Sequence, residues 1–151
     1  MPSATSPTTI EVDRDLVVSL RLAVGRLARR LRQQTEGGLT ASQFSALSSI
    51  SHYGPITLGQ LAAVERLRPP SVTRMVSNLE DAGLVLRRAD ADDRRVCRVE
   101  TTPLGRDLLE RTRSRKDAYL ATRLATLGPD ELDVLRDATV VLERLLEEER
   151  S

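Results

Sequence analysis

The side chains with the most chemistry to offer are hydrogen-bond donors, and they stand in two groups. Arg68, Ser71, Thr73, Arg74 and Asn78 form the first, and Arg94 and Arg95, preceded by Asp93, the second. A guanidinium can bind guanine O6 and N7 bidentately, while hydroxyl, amide and guanidinium groups donate to phosphate oxygens. Catalysis has less to work with. His52 and Cys97 are the only histidine and the only cysteine, and they stand 45 residues apart. The sequence has no GxGxxG, P-loop, HExxH or nucleophile elbow. A lone cysteine also excludes an intramolecular disulfide and a cysteine-based zinc site. No enzyme, cofactor or metal site is expected.

The elements that must position the donors follow from the apolar spacing. Leu16, Leu20, Ala23, Leu27 and Leu31 form a helical stripe that ends before Gly37-Gly38. Thr40 with Gln43 reads as a capping box opening a second helix, with Phe44, Leu47 and Ile50 on its apolar face. Gly54-Pro55 stops it. Thr57 with Gln60 opens a short third helix carrying Leu58, Leu61, Ala62 and Val64. After a break at 66–68, Pro69-Pro70 begins a fourth helix to Asp81, with Val72, Met75, Val76 and Leu79 as its apolar face and Gly83 as its stop.

Two short strands then flank a charged turn. Leu84, Val85 and Leu86 form one, the β-branched run 95–101 the other, and residues 89–93 the turn. Thr102-Pro103 caps a long helix that breaks at Gly128-Pro129. A last helix carries Leu132, Leu135, Val141, Leu142, Leu145 and Leu146. The fold class is mainly α with a small β-hairpin. Short helix, tight turn, second helix and hairpin together make a winged helix-turn-helix, whose second helix can enter a DNA major groove.

Three stretches carry a family resemblance: 39–62 (LTASQFSALSSISHYGPITLGQLA), 71–88 (SVTRMVSNLEDAGLVLRR) and 90–105 (DADDRRVCRVETTPLG). In this order and spacing they resemble the MarR (multiple antibiotic resistance regulator) family, over about residues 12–148. The resemblance implies a homodimeric, DNA-binding transcriptional regulator, most often a repressor. It implies a single domain over 10–151, with the winged helix-turn-helix at about 54–102 and dimerisation helices at about 10–36 and 103–150. Arg68, Pro70, Ser71, Val72, Thr73, Arg74 and Asn78 then fall on or beside the recognition helix. Ser71, Val72 and Arg74 match positions that read base edges or nearby phosphates. Val72 has two readings, contact with a thymine methyl or core packing beside Met75 and Val76. Thr73 and Asn78 bond phosphate or are simply solvated. Asp93, Arg94 and Arg95 match the wing motif, in which the aspartate buttresses Arg95 and an arginine enters the minor groove.

Relatives of this kind respond to small aromatic acids or to oxidants. His52 and Tyr53 fall near the family's ligand pocket and have two readings, contacts to an anionic ligand or a packed pair at a helix end; if an effector exists, it should be a small aromatic or amphipathic anion. Cys97, on a wing strand, reads as a buried, inert thiol. One departure stands out: where the family has a Ser, Thr or Asn cap before the recognition helix, this chain has Arg68 followed by two prolines, which puts phosphate contacts at that helix start in doubt.

Bulk properties are compatible with this and less specific. Net charge is +1, but residues 103–127 carry six basic side chains against three acids, and 128–151 three against eight. Three aromatics leave the core to Leu, Val, Ile and Ala, which suits helix packing. Residues 1–9 carry no charge and no apolar h-region and read as a disordered tail rather than a signal peptide. With no membrane-length apolar run, a cytoplasmic protein is expected. Two rival readings remain: a ligand-independent or architectural DNA-binding factor, and a winged-helix module that binds protein.

Overall fold

A computed structural model describes residues 13–147, so the tail read over 1–9 lies outside the described residues. They form two compact units, one ending at Gln33 and the other beginning at Gln34. The first unit is helix α1 (Arg14–Arg32). The Asp13 carboxylate caps it by accepting the Asp15 N–H at 2.9 Å, and Arg29, Arg30 and Arg32 occupy the last turn, where the helix dipole favours cations. None of its residues is buried; Leu16, Leu20 and Leu27 are exposed and Leu31 is half-buried.

The second unit runs α2 (Ala41–Tyr53), β1 (Ile56–Thr57), α3 (Leu58–Glu65), α4 (Pro69–Asp81), β2 (Val85–Ala89), β3 (Cys97–Thr101), α5 (Pro103–Leu124) and α6 (Pro129–Glu147). Both capping boxes form. The Thr40 hydroxyl accepts the Gln43 N–H and the Gln43 amide oxygen accepts the Thr40 N–H, and Thr57 and Gln60 repeat the exchange. Helix α4 stops in a Schellman motif. Gly83 adopts φ +73°, its N–H donates to the Glu80 carbonyl, and the Leu84 N–H donates to that of Leu79. The turn between α3 and α4 uses Arg66 at φ +53°, a left-handed conformation that disfavours a side chain.

The sheet has three strands rather than the two expected. β1 pairs antiparallel with β3, and β3 with β2, so β3 is central. Two residues beside Gly54-Pro55 are too few to show alternation, which is why β1 was not legible as a strand. The core lies beneath this sheet. It joins Leu47 and Ile50 of α2, Leu61 of α3, Val72, Val76 and Leu79 of α4, Val85 and Val99 of the strands, and Leu108 of α5. Val64, expected to face inward, is exposed. Helix α6 buries nothing, and Val134, Leu135, Val140, Val141, Leu145 and Leu146 all face outward. Among the described residues no helix is long and apolar enough to cross a membrane.

Candidate nucleic-acid interface

Helix α4 is held by one face and offers the other. Val72, Val76 and Leu79 are buried, and β2 straps its flank. The Arg87 guanidinium donates to the Ser77 hydroxyl at 3.1 Å, and its Nε lies 3.5 Å from the Glu80 carboxylate. Arg68, Pro70, Ser71, Thr73, Arg74 and Asn78 are exposed. Val72 is not. At 1% exposure it packs in the core, as the second of its two readings has it. The exposed Thr73 spends its hydroxyl on its own helix, donating to the Pro69 carbonyl at 3.0 Å; donation to a phosphate needs that bond broken. Ser71, Arg74 and Asn78 line a groove of about 360 Å³ against Thr40 and Gln43 at the start of α2.

The start of α4 is as unusual as its sequence. Arg68 makes no side-chain cap, and Pro69 and Pro70 remove two N–H groups from the first turn. Of the backbone donors at this end an anion can meet only the remaining amides of that turn, and the Ser71 and Val72 N–H groups already donate to the Arg68 carbonyl.

The wing is built around two carboxylates. Asp93 Oδ1 accepts the Arg95 N–H at 3.0 Å and Arg95 Nε at 3.2 Å, the pairing that the family motif implies. The Arg95 side chain is 92% exposed, and Arg94 is exposed beside it. The second carboxylate escaped sequence reading. Asp90 Oδ1 accepts the N–H groups of Asp92 and Asp93 at 2.9 and 3.1 Å, Oδ2 takes Arg98 Nε, and Arg98 Nη1 reaches the Pro55 carbonyl at 3.4 Å. The Arg98 hydrogen bond, with the two loop amides behind it, holds the Asp90 carboxyl down at about 2, against an ordinary 3.8. The signal in the sequence was an acid and a base eight residues apart across a hairpin turn. Cys97, expected to be buried, is exposed on β3.

A cavity of about 390 Å³ lies between α2 and α5, lined by Phe44, Ser48 and His52 on one side and by Leu109, Arg113 and Lys116 on the other. The Lys116 ammonium stands 4.2 Å from the Phe44 ring centroid. Of the two expected pocket residues, His52 reaches this cavity. Tyr53 does not line it and packs edge-on against His52, with ring centroids 4.5 Å apart.

A surface helix armed with arginine, set by a short partner helix and followed by a sheet whose tip carries two exposed arginines, defines a winged helix-turn-helix protein. The MarR family profile matches residues 39–97. A helix-turn-helix-type transcriptional regulator of Mycobacterium leprae is 38% identical over 140 residues, 92% of this chain and 98% of the relative. Among solved structures, a Pseudomonas aeruginosa protein assigned as a transcriptional regulator superposes with a TM-score of 0.79 at 32% identity, covering 87% of this chain and 94% of that one. A point mutant of S. aureus MepR bound to an oligodeoxyribonucleotide shares the fold, with a TM-score of 0.70 at 23% identity over 85% of this chain and 96% of that one. The chain belongs to the MarR family of helix-turn-helix transcriptional regulators, and its relatives are regulators rather than enzymes.

Proposed function

We propose that the protein is a homodimeric, cytoplasmic repressor that binds a pseudo-palindromic operator. The observation that carries this is the joint exposure of Arg74 on α4 and of Arg94 and Arg95 at the wing tip, two arginine sites on one rigid core. That a MepR mutant of this fold was solved bound to an oligodeoxyribonucleotide supports DNA as the partner, and α4 is the helix exposed enough to enter a major groove. A two-fold dimer places its half-sites about one helical turn, roughly 10 base pairs, apart. Occupancy of such a site over a promoter is enough to exclude polymerase.

The dimer follows from what one chain leaves uncovered. Most of the large apolar residues of α1 and α6 are exposed, and neither helix has a buried residue. Their charges are opposite in sign: α1 carries six arginines against Asp15, and α6 carries six acids against Arg136 and Arg144. Two amphipathic helices of opposite charge can cover each other in a second copy.

Arg74→Ala is expected to cost about 1–3 kcal/mol on the operator and to relax preference at one position per half-site. Arg95→Ala weakens binding more evenly across sequences, with any lost preference confined to A·T-rich flanks, because minor-groove readout is degenerate. Both variants are titrated against a duplex that the parent protein selects from a random pool and against its scrambled version, at two salt concentrations. Parental affinity in both variants removes this interface. A parent that binds no duplex at low salt favours the protein-binding reading.

The α2–α5 cavity supports an effector. His52, Arg113 and Lys116 supply cationic or donor groups beside the apolar Phe44 and Leu109, which suits a small aromatic or amphipathic anion. Asp117 also lines it, and Glu110 already pairs with Arg113 at 3.0 Å, so Lys116 is the better anchor. A thermal-shift screen of such anions is expected to give stabilisation that Lys116→Ala abolishes. No stabilisation by any of them leaves the ligand-independent factor standing.

A further inference from the structure

The wing tip carries its arginines on a seven-residue loop, 90–96, between β2 and β3. For Arg94 and Arg95 to act as a reading group, that loop must hold one shape. The Asp93–Arg95 pair cannot hold it alone. Its arginine is almost fully in solvent, and an exposed ion pair shifts an equilibrium by less than about fivefold.

The Asp90–Arg98 pair is differently placed. The Asp90 side chain is only 13% exposed and Arg98 36%. One carboxylate oxygen holds two loop amides, the other holds Arg98, and Arg98 reaches back to the Pro55 carbonyl next to β1. The Asp90 N–H also donates to the Val96 carbonyl at 2.8 Å, closing the base of the loop. The contacts run unbroken from Pro55 through Arg98 and Asp90 to the amides of Asp92 and Asp93. The Cα partner of Arg98 on β2 is Arg88, and like charges directly opposite each other in a sheet repel. Each arginine is matched by its own acid, Arg88 by Glu100 at 2.7 Å and Arg98 by Asp90. Removing Asp90 therefore loosens the loop and also leaves Arg98 facing Arg88 unmatched.

We propose that Asp90 and Arg98 are positioning residues for DNA recognition, holding the wing loop in the shape that presents Arg94 and Arg95 to the minor groove. This rests on the reading of the wing as a DNA contact. Neither side chain needs to touch DNA. The sign of one variant separates this from simple electrostatics. Asp90→Asn removes a negative charge, which by itself tightens binding to a polyanion. As a positioning residue, it must instead weaken binding to the operator.

The test uses the full chain and the two duplexes above, read by fluorescence anisotropy, with hydrogen exchange at the Asp92 and Asp93 amides. Arg98→Met is expected to raise the operator Kd about tenfold and the scrambled-duplex Kd by less than about threefold, while both amides exchange faster and core amides do not. Arg98→Lys, which keeps one donor for Asp90, recovers part of the loss. Asp90→Asn weakens operator binding and carries the same test if Arg98→Met does not fold. Tighter binding of Asp90→Asn to both duplexes overturns the proposal. So does a parallel loss on both duplexes in Arg98→Met with a shallower salt dependence, which makes Arg98 a phosphate contact. So does unchanged amide exchange. If Arg95→Ala binds like the parent, the reading of the wing has failed; if Arg95→Ala weakens binding and Arg98→Met does not, only the positioning role has.

Discussion

A chain carrying both Val141→Asp and Leu145→Asp is expected to sediment as a folded monomer near its chain mass of 16.7 kDa or to unfold, where the parent sediments at twice that mass. In a single chain Val141 is 47% and Leu145 54% exposed, one helical turn apart on α6. Surface substitutions at such positions usually change stability by within about 0.5 kcal/mol. If a second copy covers them, two carboxylates are driven into an apolar seam, at a cost of several kcal/mol for each buried ion. Sedimentation velocity at micromolar concentration decides it. A double variant that stays dimeric, or a parent that is monomeric, removes the terminal helices as the dimer surface. Operator affinity should fall with the dimer, because one half-site offers half the contacts.

Gly105→Ala is expected to destabilise the protein by about 2–3 kcal/mol, although the position lies within the first turn of a helix. Helix propensity argues the other way, since alanine gains up to about 1 kcal/mol over glycine in a helix. Packing decides the sign. A Cβ at Gly105 would stand 2.1 Å from the Leu84 carbonyl oxygen and 3.0 Å from Thr101 Cγ2. The same carbonyl accepts the Thr102 N–H at 3.0 Å, so it cannot step aside freely. Thr102 accepts the Gly105 N–H and donates to the Gly83 carbonyl at 2.6 Å, tying the end of α4 to the start of α5. Moving α5 away breaks that tie. At about 2–4 °C per kcal/mol, the midpoint of thermal unfolding should fall by roughly 4–12 °C. Gly59→Ala is the control. Its Cβ meets nothing nearer than Thr57 Oγ1 at 4.0 Å, so the midpoint should hold or rise slightly. A Gly105→Ala variant as stable as the parent would show that the close approach is not rigid.

The contrast between these glycines marks how far the family motif could be read. Thr102 and Gly105 both stand in the stretch 90–105 that carries the family resemblance; the reason for the glycine was not visible there. The cap at Thr102 is local and follows from residue type. The need for glycine comes from Leu84, a carbonyl some twenty residues earlier that the hairpin folds over the helix start.

The same division runs through the site. Sequence alone determined the helices and most of their starts, because capping boxes, prolines and apolar spacing act within a turn or two of the chain; α1 and α5 end at Arg32 and Leu124, short of the glycines expected to stop them. It also determined that Arg74 faces out, since the helical period places it away from Val72, Val76 and Leu79. Tertiary structure decided what adjacent positions could not. Val72 is core rather than contact because α4 packs its Val72 side inward, and one residue at a helix boundary belongs to either face until a neighbour arrives. Cys97 shares a face with the buried Val99 and Thr101 but is exposed, because it stands at the loop end of β3, opposite the exposed Ala89. The partners Asp90 and Arg98 are joined by a hairpin register, and Phe44 and Lys116 by the packing of α2 on α5. Each of those pairs depends on a chain reversal, and the energy that selects a reversal resides in the shared core rather than in the residues it brings together.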